Sequence, residues 1–166
     1  MGLLFKADQR LPVDRNDRKA QTKILKARAA HLGWQAPALL AELDRTADLY
    51  FDAMVQIRMD AWSTGRVVLL GDAGYCAAPT SGRGTSQALV GSYVLAEQLA
   101  AADGDHSTAF AAYEHAMRPY VEHNQAIGVQ GSQHVFARPT QEMFDAMAAQ
   151  THAPQTDPGL EPLLPT

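Results

Sequence analysis

The stretch RVVLLGDAGYCAAPTSGRGTSQALVGSYVLAEQLA, residues 66–100, constrains the chain more than any other. It opens on an uninterrupted apolar run, Val67, Val68, Leu69 and Leu70. Such a run reads as a strand buried on both faces, as in a parallel sheet. Gly71 and Asp72 come next, then a loop of small residues, then Gly82-Arg83-Gly84, then a helical pattern from Thr85 to about Ala102. A buried strand delivers the Asp72 carboxylate at its C-terminal end, where ligands bind in open α/β sheets. Gly82 and Gly84 let backbone approach a planar ligand with no side chain between. The helix offers its free N–H groups and positive end to the same place. A ligand with hydroxyls and a site of developing negative charge fits that order. Taken alone, an Asp after a strand is an ordinary turn or cap residue; the order of elements gives it weight.

Around this centre the chain has a mixed pattern. Residues 2–7 form a short strand, and 11–17 a loop containing Pro12. Asp17 caps a helix to about Leu32, with Ile24, Leu25, Arg28 and Leu32 on one face and Gly33 stopping it. Pro37 opens a second helix with Leu39, Leu40 and Leu43 inward. Phe51, Ala53, Val55, Ile57 and Met59 alternate with Asp52, Met54, Gln56, Arg58 and Asp60, the period of a strand with one wet face. In the helix from Thr85, Leu89, Tyr93, Ala96 and Leu99 or Ala100 face inward. Gly104 and Asp105 break it. Ser107 caps a further helix with Phe110, Tyr113 and Met117 in the core, and Pro119 kinks or ends that segment. From Thr151 onward four prolines and little hydrophobic pattern read as a disordered tail.

Composition removes several classes. The 166 residues suffice for one domain with a real core. A formal net charge of −4 leaves no basic surplus for phosphate backbones, so nucleic acid is not an expected partner. No apolar run spans a bilayer, and the start is too short for a signal-peptide core. With one cysteine, Cys76, there is no intrachain disulfide, which fits a cytoplasmic protein.

The central stretch resembles the second FAD-binding motif of the class A flavoprotein monooxygenases, the para-hydroxybenzoate hydroxylase-like or aromatic-hydroxylase family. The family pattern runs strand, G-D-A-x-H-x-x-x-P-x-x-G-x-G-x-N, helix. Gly71, Asp72, Ala73, Pro79, Gly82 and Gly84 match in register. Tyr75 stands for the frequent histidine, Ala78 for the first of two prolines and Ser86 for the frequent asparagine. YFDAMVQIRMDAWSTGRV, from Tyr50, resembles the strand returning from the substrate domain, and AAYEHAMRPYVEHNQ, from Ala111, the helix after the motif.

The resemblance implies an α/β chain with a partial FAD/NAD(P)-binding fold lacking the N-terminal dinucleotide-binding βαβ unit. Gly82 to Gln87 fails G-x-G-x-x-G at its last glycine, and no other stretch qualifies. It further implies residues 1–62 as a remnant of the substrate domain, 63–150 as the C-terminal part of the FAD domain, and 151–166 as the tail. The cofactor-binding set is Gly71, Asp72, Pro79, Gly82, Arg83, Gly84, Thr85 and Ser86, with Asp72 on the ribityl chain and the backbone of 82–86 along the pyrimidine edge. FAD is the implied cofactor and NAD(P)H the reductant. One oxygen atom of O₂ enters an organic, aromatic or polyketide-like, substrate. The cofactor supplies the chemistry and no general acid or base is named. A second reading is a non-catalytic remnant, or a helper that completes a flavin site with a separate chain supplying the N-terminal segment. A piece of a longer protein, a split gene and a two-chain enzyme all stay open.

Other chemistry-bearing residues have plainer readings. Cys76 is a small buried filler. Arg83 is either a flavin or substrate contact or a solvated loop residue. Arg58 and Asp60 face either a cavity or an ion-pair partner. His31, His106, His115, His123, His134 and His152 show no metal spacing, so no metal is expected.

Overall fold

The structure, a computed structural model, describes residues 2–7, 9–46, 48–134, 140–142, 145, 160 and 163. It divides into two compact units, Met1–Ala53 and Met54–Thr166. The division falls ahead of the expected boundary at 62/63. Residues 54–62 pack against the segment 69–76: the Ile57 amide donates to the Cys76 carbonyl at 3.1 Å, and Leu69 N–H to Trp62 O at 2.8 Å. Most of the expected tail lies outside the described residues.

The first unit holds α1 (Arg18–Ala29) and α2 (Ala36–Glu42). Asp17 caps α1 as expected, its carboxylate accepting from Ala20 N–H at 3.0 Å. The buried face is Gln21, Thr22, Leu25 and Ala29, whereas Leu32 lies beyond the helix and is exposed. Gln21 reaches burial by donating its amide to the carbonyls of Asp14 (3.0 Å) and Arg15 (2.7 Å). Arg28 lays its guanidinium 5.5 Å from the centre of the Phe5 ring. Residues 2–7 carry no strand. In α2, Ala36 is the buried residue and Leu39 is exposed.

The second unit is mostly helical. A two-stranded antiparallel hairpin, β1 (Ser63–Thr64) and β2 (Val67–Val68), leads into a single turn, α3 (Asp72–Tyr75). A 3₁₀ turn at Pro79–Ser81 precedes α4 (Gly84–Ala101) and α5 (His106–His134). The core is Trp62, Tyr75, Val94, Tyr113, Met117, Tyr120 and Val121, so the aromatics of α5 are core as read. Trp62 lies 4.5 Å from the Tyr75 ring centre and 5.9 Å from that of Tyr113. Tyr113 donates its hydroxyl to Leu69 O at 3.3 Å, which leaves Tyr75 as the donor in their 2.8 Å hydroxyl pair. Burial holds the Tyr113 phenol far above the usual range.

Further expectations are corrected. The run at 66–70 is not a doubly buried parallel strand: it forms half of a hairpin, and Val67 is 60% exposed. Residues 51–59 form no ladder, because among the described residues no strand lies beside them. The inward face of α4 is Gln87, Gly91 and Val94, while Leu89 is 67% exposed and Tyr93 also points outward. The cap of α5 is Asp105 rather than Ser107: its carboxylate accepts from Ser107 N–H (3.0 Å) and the Thr108 hydroxyl (2.7 Å). These two bonds, the hydroxyl's first, hold the Asp105 carboxyl below its ordinary range. Pro119 sits inside an unbroken α5. Pro119 and His115 are both exposed, so water can satisfy the carbonyl that the missing N–H releases. Among the described residues there is no βαβ unit, and no helix is long and apolar enough to cross a membrane.

Candidate flavin-binding rim

The rim begins where β2 ends. Gly71 has φ 63° and ψ −140°, a conformation that side-chain-bearing residues rarely adopt. A Cβ there would also stand 3.2 Å from the Ala88 Cβ. The Gly71 carbonyl accepts from the amides of Gly74 (3.1 Å) and Tyr75 (3.0 Å), which closes the turn of α3 and leaves Asp72 at its exposed first position.

The loop then turns back. Ala78 is held at φ 71° and ψ 152° without being glycine. Ser81 secures it twice, its hydroxyl (2.8 Å) and its N–H (3.1 Å) both donating to Ala78 O. Pro79 opens the 3₁₀ turn, and Gly82 ends it in the left-handed region at φ 64°. Nothing lies within 4 Å of where a Cβ on Gly82 would be, so that face of the backbone is open. The Arg83 amide donates to the Ser81 hydroxyl at 3.1 Å, and α4 begins at Gly84 with no side-chain cap and no acidic residue in its first turn.

These parts converge. Asp72 Oδ1 lies 3.8 Å from the point where a Gly84 side chain would start. A side chain there would fill the gap between the carboxylate and the helix end. Pro79, Gly82, Thr85 and Ser86 are exposed, Arg83 and Gly84 half-buried, and Gly71 buried. Ser86 turns its hydroxyl back to Arg83 O at 3.0 Å. Of the eight expected residues, the structure thus brings Asp72 to Gly84, at the start of the helix whose first turn carries Thr85 and Ser86, with the buried Gly71 setting the turn that presents Asp72. Cys76 is half-buried, its sulfur 3.7 Å from Val55 O.

Arg58 and Asp60 lie elsewhere, at a cleft of about 220 Å³ that they line with Trp62 and Arg118. Arg118 stacks 4.8 Å from the Trp62 ring centre, donates to Asp60 O at 3.0 Å and pairs with Glu114. Arg58 is bonded to the Gln56 side-chain oxygen at 3.0 and 3.2 Å. No cluster among the described residues could hold a metal ion.

Sequence reading missed the amides behind the rim. Gln87 donates to Tyr75 O at 2.9 Å, and Asn124 donates to Gln87 Oε1 at 2.9 Å, both residues being buried. The one signal for them was polar Asn124 and Gln125 continuing the helical face of Met117 and Val121.

No family model matches the chain. It is 41% identical over 128 residues to a flavin-dependent monooxygenase of an unknown prokaryotic organism, covering 77% of this chain and 33% of that protein. It is 45% identical over 98 residues to an FAD-dependent monooxygenase, asL6, of Sarocladium schorii, covering 59% of this chain and 23% of that one. Among solved structures it resembles the tetracycline destructase Tet(51), with a TM-score of 0.72 and 35% identity over 89% of this chain and 40% of that one. The chain spans about a third or less of the length of these curated relatives. Over the residues it shares with them, the chain is similar in sequence to flavin-dependent monooxygenases and in fold to a tetracycline destructase.

Proposed function

We propose that residues 71–86 form one wall of the FAD site of a cytoplasmic monooxygenase. The enzyme places one atom of O₂ into an organic, aromatic or polyketide-like, substrate with NAD(P)H as reductant. The approach of Asp72 to the start of α4 carries the reading. In it the Asp72 carboxylate accepts hydrogen bonds from the ribityl hydroxyls. The bare backbone of Gly82 and Gly84 lies against the pyrimidine edge of the ring system. The uncapped end of α4 faces the negative charge that reduced flavin carries there. Bound FAD would supply the oxygen chemistry; this chain's residues hold it and set its orientation. The resemblance to a tetracycline destructase supports a multi-ring substrate.

The rim is exposed on its outer side, and this favours a second reading: the residues complete a flavin site only with a further protein segment, on the same or another chain. A non-catalytic remnant is the remaining alternative. Purified protein, alone and co-expressed with the N-terminal part of a relative, is tested for flavin absorbance. Colour in the chain alone supports a self-sufficient site, and colour only with the added segment supports a shared one. Colour in neither defeats the flavin reading. In whichever assembly is yellow, Asp72→Ala is expected to lose flavin retention while far-UV circular dichroism stays unchanged. Undiminished retention removes Asp72 from the site.

A further inference from the structure

Behind the rim, the loop of residues 77–81 lies on the C-terminal half of α5. Asn124, Gly128 and Gly131 recur at helical spacing and so share one face. A Cβ on Gly128 would fall inside 3.0 Å of the Ala77 carbonyl oxygen, and one on Gly131 inside 3.0 Å of the Thr80 carbonyl oxygen. Two carbonyls three residues apart in the loop therefore sit over two glycines three residues apart on the helix. The Thr80 hydroxyl donates to Gly128 O at 2.7 Å. Gln56 bridges loop and helix, its amide donating to Ala77 O (3.1 Å) and Gln125 O (2.7 Å). The Asn124–Gln87–Tyr75 relay holds the loop's beginning. Asn124 Oδ1 finds no partner among the described residues.

We infer that this face of α5 is the template that sets the spacing of the flavin rim, with Gly128, Gly131, Asn124 and Gln87 as positioning residues. The inference rests on the flavin reading of the rim and adds residues that do not belong to it. Asp72 is fixed from the other side, through the bonds to the Gly71 carbonyl. Thr80 is two residues from Gly82. A methyl group at 131 displaces the Thr80 carbonyl and carries Gly82 and Gly84 with it, while Asp72 stays. The gap between carboxylate and helix end then changes, although no group that faces the cofactor has been altered.

The test uses the full chain and three variants: Gly131→Ala, Thr80→Val and, as a control on the outward face of α5, Val129→Ala. Amide hydrogen exchange is read at Ser81 and Gly82, whose N–H groups bond Ala78 O and Pro79 O at 3.1 Å each. FAD affinity and the bound flavin's absorbance maximum are read by titration, and helix content by circular dichroism. Gly131→Ala is expected to speed exchange at both amides and weaken FAD binding, each about tenfold or more, at unchanged helix content. Thr80→Val, which keeps the side chain's shape and removes only the hydroxyl, acts in the same direction by a few-fold. Val129→Ala behaves as the parent. If Gly131→Ala fails to fold, Thr80→Val decides. Parent-like exchange and affinity in the folded variants overturn the template. A parent that takes up no FAD, either alone or with the added N-terminal segment, defeats the flavin reading only, because the exchange measurement judges the template without cofactor.

Discussion

Replacing Tyr113 by phenylalanine should cost more than replacing Tyr75, and making both changes should cost less than Tyr113→Phe alone. The order comes from who donates to whom. Tyr113 gives its proton to Leu69 O at 3.3 Å and accepts from Tyr75 at 2.8 Å. Tyr75→Phe removes a donor and leaves the Leu69 bond in place, a loss of about 0.5–1.5 kcal/mol. Tyr113→Phe strands the Tyr75 hydroxyl, in a side chain with no exposed surface, and frees a carbonyl besides, about 1–3 kcal/mol. In the double variant only that carbonyl, at the end of a long bond, stays unmatched. Urea unfolding reads these differences through Trp62 fluorescence in a Trp34→Phe background, since Trp62 is buried on both rings and Trp34 is 91% exposed. pH gives an independent check. The Tyr113 phenol titrates higher in the folded chain than the 10.0 expected unfolded. Its stabilising share is whole below that value and is lost as pH rises beyond it. The parent's urea midpoint should fall above pH 10 more steeply than that of Tyr113→Phe. A double variant at least as unstable as the two singles added together, or a Tyr75→Phe costlier than Tyr113→Phe, would refute the donor order.

Gly71→Ala should destabilise the second unit by about 1–3 kcal/mol, measured by urea unfolding, because φ 63° with ψ −140° suits glycine and the new methyl meets Ala88. The Asp105 cap should weaken in acid: its carboxyl is depressed when folded, so its contribution is complete above the unfolded 3.8 and disappears as pH falls through the lower folded value. NMR shifts of Ser107 N–H should track that titration, and Asp105→Asn should abolish the dependence. The outward face of α4, with Leu89 67% and Tyr93 37% exposed, should drive self-association that light scattering detects and Leu89→Lys reduces.

The sequence disclosed the rim because its signal is local. Glycines at positive φ, a proline opening a turn and a carboxylate beside them need only neighbours along the chain. The cap at Asp17 and the aromatic face of α5 were legible for the same reason. Facing on α4 was not. The helix carries large apolar residues on two sides, Leu89 and Tyr93 on one and Val90 and Val94 on the other. Periodicity alone cannot say which side is covered. The Tyr75 hydroxyl decides it: it needs the empty side of Gly91, where any Cβ would collide with it. The buried Gln87 and Asn124 were hidden by their polarity, since burial depends on a partner remote in sequence. The strands at 51–59 and 66–70 were over-read, because alternation and apolarity show a segment's suitability for a sheet and not the presence of a neighbour to bond.

Ala78 carries a last consequence. An alanine at φ 71° and ψ 152° disfavours its own conformation, so the loop's shape is imposed by Ser81 and by the helix beneath it. Excised as a peptide or grafted onto another scaffold, residues 76–86 would relax to a different course. What travels with the letters of this motif is only half of the loop's shape; the other half is the helix more than forty positions further along the chain.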